Sequence, residues 1–384
     1  MDLSYINSMH KAQESLAIYA FRLLDGLDYK KRSNITLLIA EEYQDSIKTK
    51  YSTYKAIVYP SLSPTLSKIP YIKGIYKMLK WKRFINSLDY DIIYIPFAWP
   101  GNSLSTKAKK IITIHDLRPI KEPIGAFTNS WWFKAFHLSS IFLYVNRYFY
   151  SQQLKNASKV IAISNYTKED ICREWPKYSK KILTIYNGVV LSKSSYRPKQ
   201  LDEHVPYILY VNSLSPYKNA ETLIRAFENI KEQCNHKLVI VGKNTSYWQK
   251  IETYINDKCF LNRIIRISYV TDAELKWLYE HASLFVTTST REGFGYTPIE
   301  AAMCRCPIIS TMAESLPDVT AGKAYYYAPP HSWHKLSSLM LHILRLPKEN
   351  LRLNEISSFF LERYNNEKQA NKIYDTINSS LNLS

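Results

Sequence analysis

Nowhere in the 384 residues is there a run of about 18 consecutive apolar residues, the length that a membrane-spanning helix needs. The nearest approach, residues 131–150, is broken by Lys134, His137, Asn146 and Arg147. No opening apolar stretch with a basic flank and a small-residue cleavage site occurs, so no secretory leader is expected. Cysteine is scarce. Cys172, Cys234, Cys259, Cys304 and Cys306 are odd in number and include no CxxC pair, which reads as reduced thiols and not as a disulfide frame or a zinc site. No short-period repeat is present. Acidic residues are scarce in one half only. Residues 1–200 hold 14 Asp/Glu against 31 Lys/Arg, whereas residues 201–384 hold 19 against 20. Nearly all of the net charge of +18 therefore belongs to the first half. Either that half faces an acidic partner, or it carries a solvated lysine-rich surface.

What is present is enough apolar residue, 46%, to fill two cores of ordinary size. Short β-rich runs alternate with helical patterns, the signal of parallel α/β architecture. In the first half strands are expected at 3–6, 35–39, 56–59, 92–95, 111–114, 160–163 and 183–185. Helices are expected at 14–27, 75–86, 131–154 and 168–174. The polar, aperiodic stretch 191–206 holds two prolines and reads as a linker. The alternation then restarts, with strands at 207–211, 237–241, 264–267, 284–287 and 308–310. Helices at 221–233, 247–258, 272–281 and 298–303 separate them, and the last 35 residues form a helical tail.

Three runs carry chemistry. TSTREGFGYTPIEAA, 288–302, takes a strand through Gly293 and Gly295 into a helix with Pro298 near its start. Glycines let a ligand approach the backbone, and the free N–H groups at a helix start suit a phosphate. Glu292 and Glu300 flank that cradle; carboxylates suit sugar hydroxyls, though two incidental acids on a strand–turn–helix would look the same. In YVNSLSPYKNAETLIRAF, 210–227, Lys218 stands where a βα loop could bring it to a phosphate, or where a surface lysine would stand. In KKIITIHDLRPI, 109–120, a strand delivers His115 and Asp116 to its C-terminal end, as a donor to substrate or as residues satisfied within the fold.

Together with IAISNYTKEDI, YNGV at 186–189, VTDAELKWLYEHASLFVTTS at 270–289 and SLPDV at 315–319, these runs resemble the family 4 glycosyltransferases, from about residue 3 to 377. REGFGYTPIE matches the family's E-x7-E element. The resemblance implies an α/β chain with the GT-B fold, two Rossmann-like βαβ domains facing a cleft. An acceptor-binding domain would occupy 1–190 and a donor-binding domain 207–360, with a C-terminal helix, 361–384, crossing back toward the first. It implies His115, Glu292 and Lys218 as catalytic residues. Glu300, Ser213, Gly293, Phe294, Gly295, Tyr296, Thr297 and Val270 would bind the donor nucleotide and sugar, with Glu300 on the ribose, Glu292 on sugar hydroxyls and Lys218 on the leaving diphosphate. Glu14, Ser15 and Asp116 would stand on the acceptor side. The donor would be a UDP-, GDP- or dTDP-sugar, the reaction would retain configuration, and neither metal nor cofactor is implied; no DxD-like motif lies near these loops. Departures are Asn212 for a usual Gly, Tyr217 before the lysine, Arg305 for a usual Gly in a position calling for a left-handed backbone, Asp318 for Glu, and a loop after the first strand that lacks glycine.

The basic half is the acceptor half. Residues 68–84 interleave Lys68, Lys73, Lys77, Lys80, Lys82 and Arg83 with aromatic and aliphatic residues, a composition suited to an anionic bilayer surface or to core aromatics with solvated lysines. The expectation is a cytoplasmic enzyme held peripherally on the inner face of the plasma membrane, acting on a lipid-linked glycan in polysaccharide or lipopolysaccharide assembly. Two other readings remain at this point, a catalytically impaired subunit and a basic nucleic-acid-binding protein. No helix-turn-helix, finger or RNP run supports the second, and no nucleic-acid partner is expected.

Overall fold

A computed structural model describes residues 1–5, 14–61, 70–122, 138–202, 205–258 and 260–381. The chain divides into two compact units, Met1–Gly188 with Asn366–Ser384, and Val189–Asn365. The chain enters and leaves the second unit side by side: the Val189 N–H donates to the Tyr364 carbonyl at 2.9 Å.

Unit 1 runs β1 (Asp2–Leu3), α1 (Glu14–Asp25), α2 (Tyr29–Arg32), β2 (Thr36–Ala40), α3 (Gln44–Lys50), β3 (Lys55–Tyr59), α4 (Pro70–Ser87), β4 (Ile92–Ile95), β5 (Lys109–Ile114), α5 (Arg118–Lys121), α6 (Leu138–Asn156), β6 (Lys159–Ala162), α7 (Asn165–Glu174) and β7 (Ile182–Thr184). All pairings are parallel, in the orders β1-β2-β3 and β4-β5-β6-β7. The inner strands are runs of Ile, Leu and Val because both faces are covered. Trp81, Ile85, Tyr150 and Leu154 of α4 and α6 pack on one face of the four-stranded sheet with Ile112, Ile114 and Val160. Tyr19 and Leu23 of α1 and Ile373 pack on the other with Ile111 and Ile161.

Unit 2 runs β8 (Tyr207–Val211), α8 (Ala220–Ile230), β9 (Lys237–Val241), α9 (Ser246–Asp257), β10 (Ile264–Ile267), α10 (Asp272–His281), β11 (Leu284–Val286), α11 (Tyr296–Met303), β12 (Ile308–Thr311), α12 (Leu316–Val319), β13 (Tyr325–Tyr327), α13 (Trp333–Arg345) and α14 (Leu353–Arg363). Its parallel sheet has the order β10-β9-β8-β11-β12-β13. This is the doubly wound order, in which the connections reverse between β8 and β11, and such sheets bind ligands outside the strand C-termini at that reversal. Two of these helix starts carry a side-chain cap: Thr245 accepts from the Trp248 N–H at 3.1 Å before α9, and Thr271 caps α10. Thr271 accepts from the Glu274 N–H at 3.2 Å while Glu274 accepts from the Thr271 N–H at 2.8 Å, a reciprocal box that fixes the loop holding Val270.

The strands expected from apolar runs stand within a residue or two of their places, except the first, which is expected at 3–6 and is described only at Asp2–Leu3. No element is expected from the sequence at α2, α3, α5, α12 or β13, all short, nor at the 13-residue α13, although its buried Leu336, Met340 and Ile343 recur at helical spacing. The 131–154 helix is described from Leu138, and residues 131–137 lie outside the described set. The 191–206 stretch is no free linker: it belongs to unit 2, where Leu201 is buried and the Tyr196 N–H donates to the Ala273 carbonyl at 3.2 Å. The tail forms two helices, and only α15 (Asn366–Asn378) returns to unit 1, so the return begins at 366 and not at 361.

Candidate active site

The reversal between β8 and β11 brings together the two loops that carry most of the candidates. After β8 the chain makes one tight turn, Pro216–Lys218, and Asn219 takes a left-handed conformation (φ 52°) before α8. This turn is sewn to the loop after β11. Tyr210 and Thr288 hydroxyls both donate to the Lys218 carbonyl at 2.9 Å, and the Thr290 N–H donates to the Tyr217 carbonyl at 2.8 Å. Asn219 Nδ2 donates to the Thr288 carbonyl at 3.3 Å and to Pro330 at 2.9 Å.

The result is a buried ion pair that the sequence did not announce. Lys218 Nζ donates to Glu292 Oε1 at 2.5 Å, and each residue is only 8% exposed. The Ser289 hydroxyl adds a bond to the same oxygen at 3.2 Å. The two residues were assigned separate ligands, a diphosphate and a sugar; here each is the other's first partner. An ammonium has three donors, and Glu292 takes one. Glu300, one turn into α11, is also 8% exposed and accepts from the Tyr279 hydroxyl at 3.1 Å. Burial and the neighbouring carboxylate push the Tyr279 pKa far up, so this phenol stays a donor at every working pH.

Between the two acids lies the cradle. Gly295 caps α11 with φ 86°, and a Cβ there would stand 2.8 Å from Leu316 Cδ2, so glycine is required both by backbone angle and by space. Phe294 turns its ring inward against Tyr364 and Tyr296. The N–H groups of Tyr296 and Thr297 open α11 and have no intrahelical acceptor. Gly293 precedes them. Ser213 is exposed just past β8, and Val270 is half-buried past β10, so both stand at the same C-terminal edge of the sheet. Residues that sequence reasoning missed are Tyr279 and Ser289, which hold the acids, and Glu314 and Ser315, which hold their loop. Only the folded sheet brings these distant positions into contact.

The unit 1 candidates have a different setting. His115 follows β5; its Nε2 lies 2.9 Å from the Pro96 carbonyl and its ring meets Tyr19 edge-on at 4.7 Å. Burial lowers its pKa, so the ring is neutral at pH 7, with Nε2 carrying the proton and Nδ1 left as an acceptor. Asp116 accepts from the Arg118 N–H at 3.0 Å and from Arg118 Nε at 3.1 Å, a local pairing that satisfies it within the fold. Glu14 and Ser15 open α1, but their side chains, like residues 6–13 before them, lie outside the described set.

Among the described residues no group of three or more His, Cys, Asp or Glu is placed to hold a metal ion. Cys304 and Cys306 are buried, and burial raises both thiol pKa values, Cys304 to about 12, which keeps them protonated and unreactive.

Comparison with known proteins gives the family and the fold. Residues 20–193 match the profile of Glycosyltransferase Family 4, and residues 192–358 match that of Glycosyl transferases group 1. The chain is 29% identical over 245 residues to the O-antigen chain mannosyltransferase RfbU of Salmonella typhimurium, covering 63% of each chain. It is 26% identical over 211 residues to O-antigen chain mannosyltransferase B of Escherichia coli, covering 50% of this chain and 53% of that one. The match thus spans between half and two thirds of the length of these relatives. Sucrose-phosphate synthase from Thermosynechococcus elongatus superposes with a TM-score of 0.70 at 19% identity, covering 96% of this chain and 94% of that one. Anabaena HepE, solved with UDP and glucose, superposes with a TM-score of 0.69 at 15% identity, covering 96% of both chains. The chain belongs to the family 4 glycosyltransferases, and its fold is GT-B, with two Rossmann-like domains.

Proposed function

We propose that this protein transfers a hexose-type sugar from a nucleotide-sugar donor, bound in unit 2, to a saccharide acceptor in the assembly of a cell-surface polysaccharide of the O-antigen or lipopolysaccharide kind. The observation that carries the reading is the β8–β11 reversal. There a buried lysine, two buried carboxylates and the N-terminus of α11 meet within one sheet edge. A diphosphate leaving group gathers negative charge as the glycosidic bond breaks. Lys218 and the Tyr296 and Thr297 N–H groups are fixed donors that need no reorganisation to meet it. Glu300 suits ribose hydroxyls and Glu292 sugar hydroxyls, since hydroxyls need acceptors. The lysine and the helix dipole can carry this stabilisation without a metal, and retention of configuration is proposed on the family resemblance alone. Mannose heads the list of sugars because both relatives named above are mannosyltransferases.

A thermal-shift screen of UDP, GDP, dTDP and ADP with their sugars identifies the base, since a ligand that binds only the folded chain raises its melting temperature. Glu300→Ala should weaken that nucleotide by about 1.5–3 kcal/mol. Lys218→Ala alone is a poor probe, because it strands Glu292 as a buried charge at a cost of about 3–5 kcal/mol. The double variant Lys218→Met, Glu292→Gln removes both charges together and should fold, yet lose roughly 10²–10³ in turnover. Full turnover in the double variant would place the chemistry elsewhere.

The acceptor, in the same proposal, is lipid-linked and reached from an anionic membrane surface. Support comes from α4 and α6, which contain no Asp or Glu over 18 and 19 residues. Ile75, Tyr76 and Leu79 of α4 are exposed, as are Ile141, Tyr144, Val145 and Tyr148 of α6, spaced i, i+3, i+4 and i+7 on one helix face. The surface differs from the one expected at 68–84. Trp81 is 1% exposed and donates its indole N–H to Asp2 at 2.9 Å, Phe84 packs against Tyr59, and Lys80 donates to the Pro60 and Ser61 carbonyls at 2.9 and 2.8 Å. Residues 68 and 69 lie outside the described set. No described helix is long and apolar enough to cross a membrane.

A further inference from the structure

The loop that holds Glu292 is gripped by a second turn, the one following β12. Glu314 sits in the left-handed region with φ 46°, where a residue bearing a Cβ is strained and glycine is not. Its carboxylate Oε2 accepts the N–H of Glu292 at 2.6 Å. The very next residue takes the other end of the same residue's backbone: the Ser315 hydroxyl donates to the Glu292 carbonyl at 2.6 Å. One residue further on, Leu316 closes against Gly295. Both polar groups of the Glu292 backbone are thus tied to two consecutive side chains. The Glu292 side chain, free of backbone rotation, stays on Lys218 and Ser289.

The chemistry of this arrangement is unexpected at a site for a nucleotide diphosphate. A third carboxylate near bound phosphates raises repulsion, and a glycine would make the same turn without strain. A residue kept against both penalties is kept for what its side chain does. We propose that Glu314 is a positioning residue of the transfer site: through its bond to the Glu292 N–H it fixes the loop 289–295, so that Glu292 and the N–H groups opening α11 are preset for the donor. Ser315 completes the clip from the carbonyl side. Glu314 itself does not touch the donor. The inference rests on the donor-site reading above for its catalytic part, but its structural part stands without it.

The experiment has two arms for that reason. The first needs no substrate. Amide hydrogen exchange of a peptide spanning 288–297 should quicken in Glu314→Gly, where the acceptor is gone. It should stay at the wild-type rate in Glu314→Gln, whose amide oxygen still accepts the Glu292 N–H. The melting temperature of Glu314→Gly should be unchanged or raised, because glycine relieves the left-handed strain. The second arm uses the nucleotide sugar that gives the largest shift in the screen of UDP, GDP, dTDP and ADP sugars. Glu314→Gly should lose roughly ten- to a hundred-fold in kcat, as displaced reacting groups do, with donor KM little changed. Glu314→Gln should recover most of that loss. Wild-type exchange at 288–297 in Glu314→Gly would overturn the clip itself, whatever the enzyme transfers. Quickened exchange with wild-type kcat would leave the loop unimportant to transfer and overturn the positioning role. A Gln variant as impaired as Gly, with donor KM raised, would make Glu314 a ligand-contacting group and overturn the proposal as well. If none of the four sugars shifts the melting point, the donor-site reading fails, and the exchange arm still decides the clip.

Discussion

At the residue scale the chain accepts local strain where the family usually has glycine. Arg305 follows α11 with φ 61°. Its N–H donates to the Ala302 carbonyl at 3.0 Å, and the Cys306 N–H reaches back to Ala301 at 3.0 Å, the paired bonds that end a helix through a left-handed residue. The sequence reading anticipated this angle from the glycine usually found there. Arg305→Gly should therefore stabilise the protein by about 1 kcal/mol, read as a raised melting temperature. A fall instead would mean that the arginine side chain contributes more than its backbone costs. Arg305 caps a helix from the end opposite Gly295, so the gain should come with unchanged nucleotide binding.

At the scale of elements, the return of α15 to unit 1 explains two glycines. A Cβ on Gly188 would stand 2.5 Å from Asn366 Cα and 2.6 Å from its side-chain oxygen, and a Cβ on Gly26 would stand 2.8 Å from the Asn366 carbonyl oxygen. Close approach lets Gln369 accept from the Gly188 N–H at 2.6 Å and lets Asn366 donate to the Arg22 carbonyl at 2.7 Å. The family-like run at 186–189 is thus a seat for the last helix. Gly188→Ala cannot be relieved by turning a side chain, because its nearest neighbour is backbone. It should cost about 1–3 kcal/mol by forcing α15 outward. Gly74, inside α4, has nothing within 4 Å of a Cβ, so Gly74→Ala should be neutral or stabilising by up to about 1 kcal/mol. Thermal melting of the two variants side by side checks the contrast; equal behaviour would refute the docking account.

At the scale of the whole molecule the division of charge is the main feature. Cations near an anionic bilayer contribute about 1 kcal/mol each, and the attraction shortens with the Debye length as salt rises. Flotation with phosphatidylglycerol-containing vesicles at low salt should carry the wild-type protein upward, and added salt should release it. Replacing Lys77, Lys82 and Arg83 by Ser should abolish flotation, and Ile141→Ser with Tyr144→Ser should weaken it at every salt concentration. Nucleotide-induced melting shifts should survive both sets. Wild type that stays at the bottom of the gradient at low salt would end the membrane reading, and the basic surface would next be tested against RNA.

Much of the fold was legible in the chain because its signals are local. Buried parallel strands need unbroken apolar runs such as YILYV, and a tight approach such as Gly295 needs glycine. The candidate acids and Lys218 were legible for the same reason, as residues at strand ends. What those residues touch was not. Lys110 shows the limit: counted with the solvated charge, it is 1% exposed, donates to the Asn102 carbonyl at 2.8 Å, and is pushed by burial to a pKa of about 7. Likewise the pairing of Lys218 with Glu292, the hold of Tyr279 on Glu300 and the grip of Glu314 and Ser315 join positions 21 to 74 residues apart. The order of residues fixes which groups are available and which backbone angles each can bear. Only packing of the sheet, by deciding which loops lie side by side and which charges lose water, decides which partner each group meets.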